Sequence, residues 1–284
     1  MEHKFEQISP HILIMHAEHA TDRPVLAAIT GERRTLLMDA GASPAHAGLF
    51  REELERRGCR LPDMLVLTHW HWDHSFGMSA WDIPAVAHKE TAEALAALSG
   101  RGWSDEEMAE LVQAGTISEA SVQHIRLEYG DSGAVTIRQP DIIFTGRITF
   151  DLGGVTCELI HVGGDHSADS CVLYVQEDKV LFLGDALGPS VYGGPYKYSS
   201  TGFLRLLEMA YGFGAEWYVE SHGVPMNDQD FRADLAPWER LARVVDVFGH
   251  NRERVVLEMK DYLKLEELPG DLLKGVDYFM AGPK

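Results

Sequence analysis

Four side chains able to bind a divalent metal fall within six residues: His69, His71, Asp73 and His74 of the run His69-Trp70-His71-Trp72-Asp73-His74. Neutral imidazole nitrogens and carboxylate oxygens are donors that zinc and other first-row divalent ions accept. A hydrophobic core has no need of them, since each buried polar group must find a partner to offset its lost hydration. His69 and His71, two apart, point the same way along an extended backbone. Asp73 and His74 turn with the chain toward a second position, so one short loop can serve two metals. The chain has only 14 His in 284 residues, which makes three within this run a pattern rather than an accident.

The elements that must position this loop are legible on either side of it. The apolar stretch 64–68 reads as a short buried strand, and the ligand run falls just past its C-terminal end, where open α/β sheets build sites. Strands are expected over 12–15, 25–29 and 35–38, the last delivering Asp39 in Asp39-Ala40-Gly41. Pro44 and Gly58 bracket a helix over 44–57, and a further helix covers 91–98. From 99 to 139 the signal is weak. Ser104 caps a helix through 111, the rest is polar and mixed, and the segment reads as a helical insertion over the core, a lid.

The second half repeats this logic. Strands over 148–151 and 155–160 flank the turn Gly153-Gly154, and strands over 171–175 and 180–183 flank 176–179. The strands over 35–38 and 180–183 each deliver an aspartate, Asp39 and Asp185, which suggests two similar αβ halves. Helices follow over 202–211, 228–247 and 252–265, and a strand over 217–219 leads into Glu220-Ser221-His222-Gly223. Three strand exits thus offer further donors beside glycines: His166, Asp185 and His222. One domain over 1–284 is expected, with the insertion at 99–139 and a C-terminal helical extension at 226–284. The insertion and the tail beyond 265 are expected to cap the site or make a dimer contact, with His124 on a solvated face.

Composition narrows the function classes. A hydrophobic fraction of 45% suits a globular protein. The opening Met1-Glu2-His3-Lys4-Phe5-Glu6 is too charged for a secretory signal and no run of 18 apolar residues occurs, so a cytoplasmic protein without a membrane partner is expected. Three cysteines, Cys59, Cys157 and Cys171, with no C-x-x-C pair, argue against a disulfide framework and a thiolate metal site. A net charge of −19 repels phosphate backbones and excludes nucleic acid as a partner. A small-molecule substrate remains, with a homodimer left open.

Taken in order, His-x-His-x-Asp-His at 69–74, Gly163-Gly164-Asp165-His166-Ser167, Leu183-Gly184-Asp185 and Ser221-His222-Gly223 resemble the metallo-β-lactamase superfamily, over about residues 10–225. The resemblance implies an α/β fold, a four-layer αβ/βα sandwich of two face-to-face mixed β-sheets with helices outside, and a dinuclear site along one edge. Carried over by position, His69, His71 and His166 hold the first metal and Asp73, His74 and His222 the second, with Asp185 bridging. Asp39 matches a strand-end aspartate that supports the site without ligating. Two departures stand out: Asp165 replaces the usual glycine before the third histidine, and His161, five residues upstream, offers a second register. His166 is preferred because it follows the glycine turn.

What the resemblance implies chemically is hydrolysis. Two divalent ions, zinc first and iron or manganese as alternatives, share a hydroxide whose pKa falls to near 7 and polarise the substrate oxygen. Asp73 is placed to accept a proton as the adduct collapses, and Tyr192, in the glycine-rich loop 188–194, to reach a substrate oxyanion. Trp70 and Trp72 either wall the site or pack beneath it. Asp185 resembles the thioesterase, lactonase and phosphodiesterase branches, not true β-lactamases, while Glu220-Ser221-His222-Gly223 departs from the Cys-Gly-His-Glu of glyoxalase-type thioesterases. The expected substrate is a small ester, lactone or thioester. The alternatives are a phosphodiesterase or a mononuclear iron oxygenase of the same fold, similar to persulfide dioxygenases. A non-catalytic binding module predicts eroded ligands, and all seven are present.

Overall fold

Most strands of this chain are apolar on both faces, and that property dictates the layering. The computed structural model describes residues 3–130, 135–249 and 251–283, so 131–134 of the expected insertion lie outside the described residues. One sheet orders β1 (Phe5–Ser9), β2 (Ile12–Met15), β3 (Leu26–Thr30), β4 (Thr35–Met38), β5 (Met64–Val66), β6 (Ala85–His88) and β7 (Ile142–Phe144) as they occur in the chain. β1 to β4 form an antiparallel meander, and β4 to β7 run parallel. The other sheet contains β8 (Arg147–Asp151), β9 (Thr156–His161), β10 (Cys171–Val175), β11 (Val180–Gly184), β12 (Trp217–Glu220) and β13 (Met226–Asn227), ordered β13-β12-β11-β10-β9-β8. Only its β11–β12 pair is parallel.

Alternate side chains then sort into layers. Ile12, Ile14, Leu36 and Met38 of the first sheet meet Leu159, Leu173, Val180 and Phe182 of the second in the core between them. Their neighbours Leu13, Met15 and Leu37 face outward onto Phe50 and Leu54 of α1 (Pro44–Arg56). The short α2 (Trp72–Ser75) lies within the ligand run, and Leu95 of α3 (Lys89–Leu98) joins the α1 layer. On the far side Leu181, Leu183 and Tyr218 pack under α6 (Ser200–Gly212), α7 (Asp228–Phe248), α8 (Arg252–Leu263) and α9 (Gly270–Ala281), through Phe203, Phe231, Met259 and Phe279. The result is the αβ/βα sandwich, with the chain beyond 226 supplying much of the second helical layer.

The insertion comprises α4 (Asp105–Gln113) and α5 (Glu119–Tyr129) among the described residues. Ser104 caps α4 in a full capping box with Glu107. The two helices bury Met108, Leu111, Val122 and Ile125 against Trp72 and Phe76, beside the ligand loop. Gly115 and Gly193 come close enough that a side chain on Gly115 would meet Gly193 Cα at 2.9 Å, so the insertion abuts the loop that carries Tyr192.

Strand direction places the candidate ligands together. β4 and β5 are parallel, as are β11 and β12, and β9 runs with β11 because both are antiparallel to β10. Asp39, the 69–74 loop, the His166 turn, Asp185 and His222 all follow the C-terminal ends of these strands, on one edge of the sandwich.

Candidate metal centre

Seven donors expected from the sequence converge at that edge in two groups, His69 with His71 and His166, and Asp73 with His74, Asp185 and His222. Asp185 Oδ2 sits between them. It lies 3.3 Å from His166 Nε2 and 4.0 Å from His69 Nε2 on one side, and 3.4 Å from His74 Nε2 and 3.5 Å from His222 Nε2 on the other. Asp73 Oδ2 is 3.0 Å from His74 Nε2 and 3.1 Å from His222 Nε2. The structure brings His166, not His161, into the first group, its Nε2 2.9 Å from His71 Nδ1. His161 instead stacks on His88, ring centroids 3.8 Å apart and 6° from parallel. Glu90 completes a third group with that pair, but lone pairs in parallel ring planes do not converge on one ion.

Backbone geometry builds the loop. His71 caps the four-residue α2, which carries Asp73 and His74 into the site. Gly77 approaches Ala40 so closely that a Cβ would stand 2.2 Å from its carbonyl oxygen, which pins the chain after the ligands to the strand end bearing Asp39. Asp39 is fully buried with φ at 58°. Its Oδ1 accepts from Thr68 N at 2.8 Å, and its Oδ2 pairs with His74 Nδ1 at 2.8 Å. This fixes which nitrogen of His74 is left for the site. Asp165 Oδ2 accepts from Ser199 N at 2.8 Å, tying the His166 turn to the start of α6, so the departure from glycine has a structural use.

Electrostatics divides the two groups. Burial holds His69, His71 and His166 below the ordinary histidine range, leaving neutral imidazoles ready to donate lone pairs. Burial opposes charge on His74 too, yet Asp73, Asp39 and Asp185 raise its pKa well above normal; Asp185 and Asp73 do the same for His222. Burial would raise Asp73 and Asp185, but the neighbouring His74 and His222 hold both well below the carboxylate range. His69 Nε2 is buried without a hydrogen-bonding partner, an arrangement that costs about 1–3 kcal/mol, and His74 Nε2 lies 3.0 Å from Asp73 Oδ2 without hydrogen-bond geometry. Converging unsatisfied nitrogens and ionised carboxylates fit a pair of divalent cations.

Other expectations resolve by position. Trp72 is buried beneath the insertion, whereas Trp70 is half-buried, its ring 5.5 Å from that of Tyr192. Tyr192 lies over His71 at 4.4 Å, and its hydroxyl pairs with Ser121 Oγ of α5 at 3.2 Å. His124 is not on a solvated face: it is half-buried, with Nδ1 3.3 Å from Asp22 Oδ2, because α5 lies against the β2–β3 loop. The α9 tail packs on α7 and α8, and Tyr278 O accepts from Tyr198 N at 3.0 Å. Sequence reasoning overlooked Asp169, whose carboxylate accepts from Trp70 N at 2.8 Å and Thr91 Oγ1 at 2.7 Å and bonds Ser167 Oγ. It joins the 69–74 loop to the His166 turn; its place three residues after a candidate ligand was the available signal.

Comparison with known proteins identifies the family and the fold. The sequence profile of the metallo-beta-lactamase superfamily matches residues 25–222. The bovine (Bos taurus) acyl-coenzyme A thioesterase MBLAC2 is 30% identical over 168 residues, 56% of this chain and 56% of that protein. The 2,4-dinitroanisole O-demethylase subunit alpha of Nocardioides sp. (strain JS1661) is 24% identical over 222 residues, 76% of this chain and 57% of its own length. The chain therefore spans little more than half of either curated relative. Among solved structures, the stereoselective inverting sec-alkylsulfatase Pisa1 from Pseudomonas sp. superposes with a TM-score of 0.65 at 16% identity, over 99% of this chain and 48% of its own.

Proposed function

The chain belongs to the metallo-beta-lactamase superfamily, and from that premise we propose that it hydrolyses an acyl ester or thioester at a centre of two zinc ions. The observation that carries the reading is the position of Asp185 Oδ2, within 4.0 Å of one nitrogen from each of His69, His74, His166 and His222. A carboxylate there offsets the mutual repulsion of two cations. His69, His71 and His166 would hold one ion, Asp73, His74 and His222 the other. The donors are nitrogen and oxygen with no thiolate, a set zinc accepts. Bound there, the pair supplies Lewis acidity and a water acidic enough to act near neutral pH.

The chain's own residues do the rest. Asp39 and Asp169 hold the ligand loop so that its donors need not reorganise. Asp73 Oδ2, 3.0 Å from His74 Nε2 and 3.1 Å from His222 Nε2, is placed among the second ion's donors, which favours its part as an anionic ligand over that of a base. Burial keeps the Tyr192 phenol protonated, so on leaving Ser121 it can donate to negative charge developing on the acyl oxygen. Trp70 and the Tyr192 ring give the acyl group an apolar surface. The thioesterase activity named for the bovine relative supports the acyl class. The demethylase adds an aryl methyl ether as a second substrate to test.

The experiment is metal quantification at saturation, followed by turnover of ester, lactone, acyl thioester, aryl ether, β-lactam, phosphodiester and alkyl sulfate substrates. Two zinc ions per chain and acyl-transfer activity that a chelator removes and zinc restores are expected. Turnover confined to a non-acyl substrate, or full activity in the chelated protein, overturns the reading.

A further inference from the structure

Two of the candidate ligand histidines have an aspartate behind them, one hydrogen-bonded and one at longer range, and only the first was expected. His74 turns Nε2 toward the site and Nδ1 toward Asp39, 2.8 Å away. His222 likewise turns Nε2 toward Asp73 and Asp185, and its Nδ1 faces Asp22 Oδ1 at 3.7 Å. That Nδ1 is buried and has no hydrogen-bond partner. Asp22 comes from the loop between β2 and β3, far in sequence from every motif residue.

Backbone conformation singles out the same two aspartates. Of four non-glycine residues with positive φ among those described, two are Asp22 at 56° and Asp39 at 58°. L-residues adopt this conformation at a cost, and it persists where surrounding structure enforces it. The enforcement at Asp22 is on both flanks. Arg23 pairs with Glu128 of α5 in a fork at 2.8 and 2.9 Å, and Glu128 also accepts from Ser43 Oγ. Val25 N donates to Ser221 O at 2.7 Å, so the same loop is bonded to the residue preceding His222. His124 Nδ1, also on α5, lies 3.3 Å from the other oxygen of Asp22, in contact but without hydrogen-bond geometry.

We propose that Asp22 is a positioning residue for His222: it holds the imidazole with its proton on Nδ1, leaving the Nε2 lone pair for a metal. Helix α5 holds Asp22 in place through His124 and the Arg23–Glu128 pair, so the insertion braces the second ion's histidine as well as covering the edge of the site. This rests on the reading of His222 as a ligand. A ligating histidine whose carboxylate partner is removed typically loses roughly 10–100-fold in metal affinity.

The test titrates metal-free protein with zinc against a chromophoric chelator, for the wild type, Asp22→Gly, Asp22→Asn and His124→Ala. Glycine accepts the positive φ without strain and asparagine tolerates it, so both variants keep the loop. Unchanged melting of the metal-free variants separates ligand positioning from folding. The second zinc is expected to bind roughly 10–100-fold more weakly in Asp22→Gly and by smaller factors in Asp22→Asn and His124→Ala, with the first zinc unaffected. Cobalt absorption of the second site should change in the same order. A wild type that takes two ions while Asp22→Gly keeps the second affinity within about threefold overturns the proposal alone. A wild type that takes a single ion overturns the dinuclear reading and the proposal with it.

Discussion

Replacing Asp39 by asparagine should weaken binding of the second metal without unfolding the protein, and the structure says why. Both oxygens of this buried carboxylate face donors: Oδ1 accepts from Thr68 N at 2.8 Å, and Oδ2 pairs with His74 Nδ1 at 2.8 Å. An asparagine must turn its NH2 toward one of them. The backbone N–H of Thr68 can only donate, so the amide oxygen stays there and the NH2 meets His74. The imidazole then accepts at Nδ1 and carries its proton on Nε2, the atom that faces Asp73 and Asp185 at 3.0 and 3.4 Å. A protonated Nε2 is no ligand. Loss of such a carboxylate–histidine arrangement costs roughly 10–100-fold in metal affinity, about 1.4–2.7 kcal/mol. Asp39→Ala behaves differently, because it takes the acceptor from three buried groups, Thr68 N, Thr68 Oγ1 and His74 Nδ1, at about 1–3 kcal/mol for each left unsatisfied, a large share of a typical stability of about 5–15 kcal/mol. Competition titration with zinc should show the second constant weakened in Asp39→Asn and the first intact, with near wild-type melting. Two unchanged constants in Asp39→Asn would refute the tautomer argument.

Three further outcomes follow from particular residues. The carboxylates around them raise the pKa values of His74 and His222, which favours protonated imidazoles whose protons a second ion must displace. Calorimetry in buffers of different ionisation enthalpy should therefore report proton release, with second-site affinity falling about tenfold per pH unit per proton as pH drops; buffer-independent heats would contradict this. Phe182→Ala empties a fully buried position between the sheets and should cost about 3–5 kcal/mol in denaturant unfolding; a loss below about 1 kcal/mol would mean the core there is looser than described. Arg23→Ala leaves Glu128, fully buried as a side chain, without its cation, at a cost of about 3–5 kcal/mol. Hydrogen exchange should then rise in α5 ahead of the sheets, and uniform exchange would show that the pair does not anchor the insertion.

How far the sequence alone reached depended on burial. Strands such as β2, β4 and β11 are apolar on both faces and stand out as short runs, and the ligand loop is dense enough to be read directly. The edge strands β1 and β7 were not: β1 carries Glu6 and Gln7, and β7 exposes Ile143 at 58%. Helix α5 was invisible because it buries only Ser121, Val122 and Ile125, too narrow a face for a periodic signal. Helix α3 begins two residues before its expected start because His88, an unusual cap, accepts from Glu90 N through its ring. The donors themselves were legible and their supports were not. Asp22 and Asp169 act through partners between 78 and 200 residues away, and no local pattern marks a residue whose role is set by contacts that only the fold creates.

The central claim is that one carboxylate joins two metal positions, and the measurement that meets it most directly is zinc stoichiometry at saturation in the wild type and in Asp185→Asn. Two ions in the wild type and one in the variant, with hydrolysis lower by orders of magnitude, are predicted, since His69, His71 and His166 remain to hold the first. One ion in the wild type, or two ions and full activity in Asp185→Asn, would contradict it.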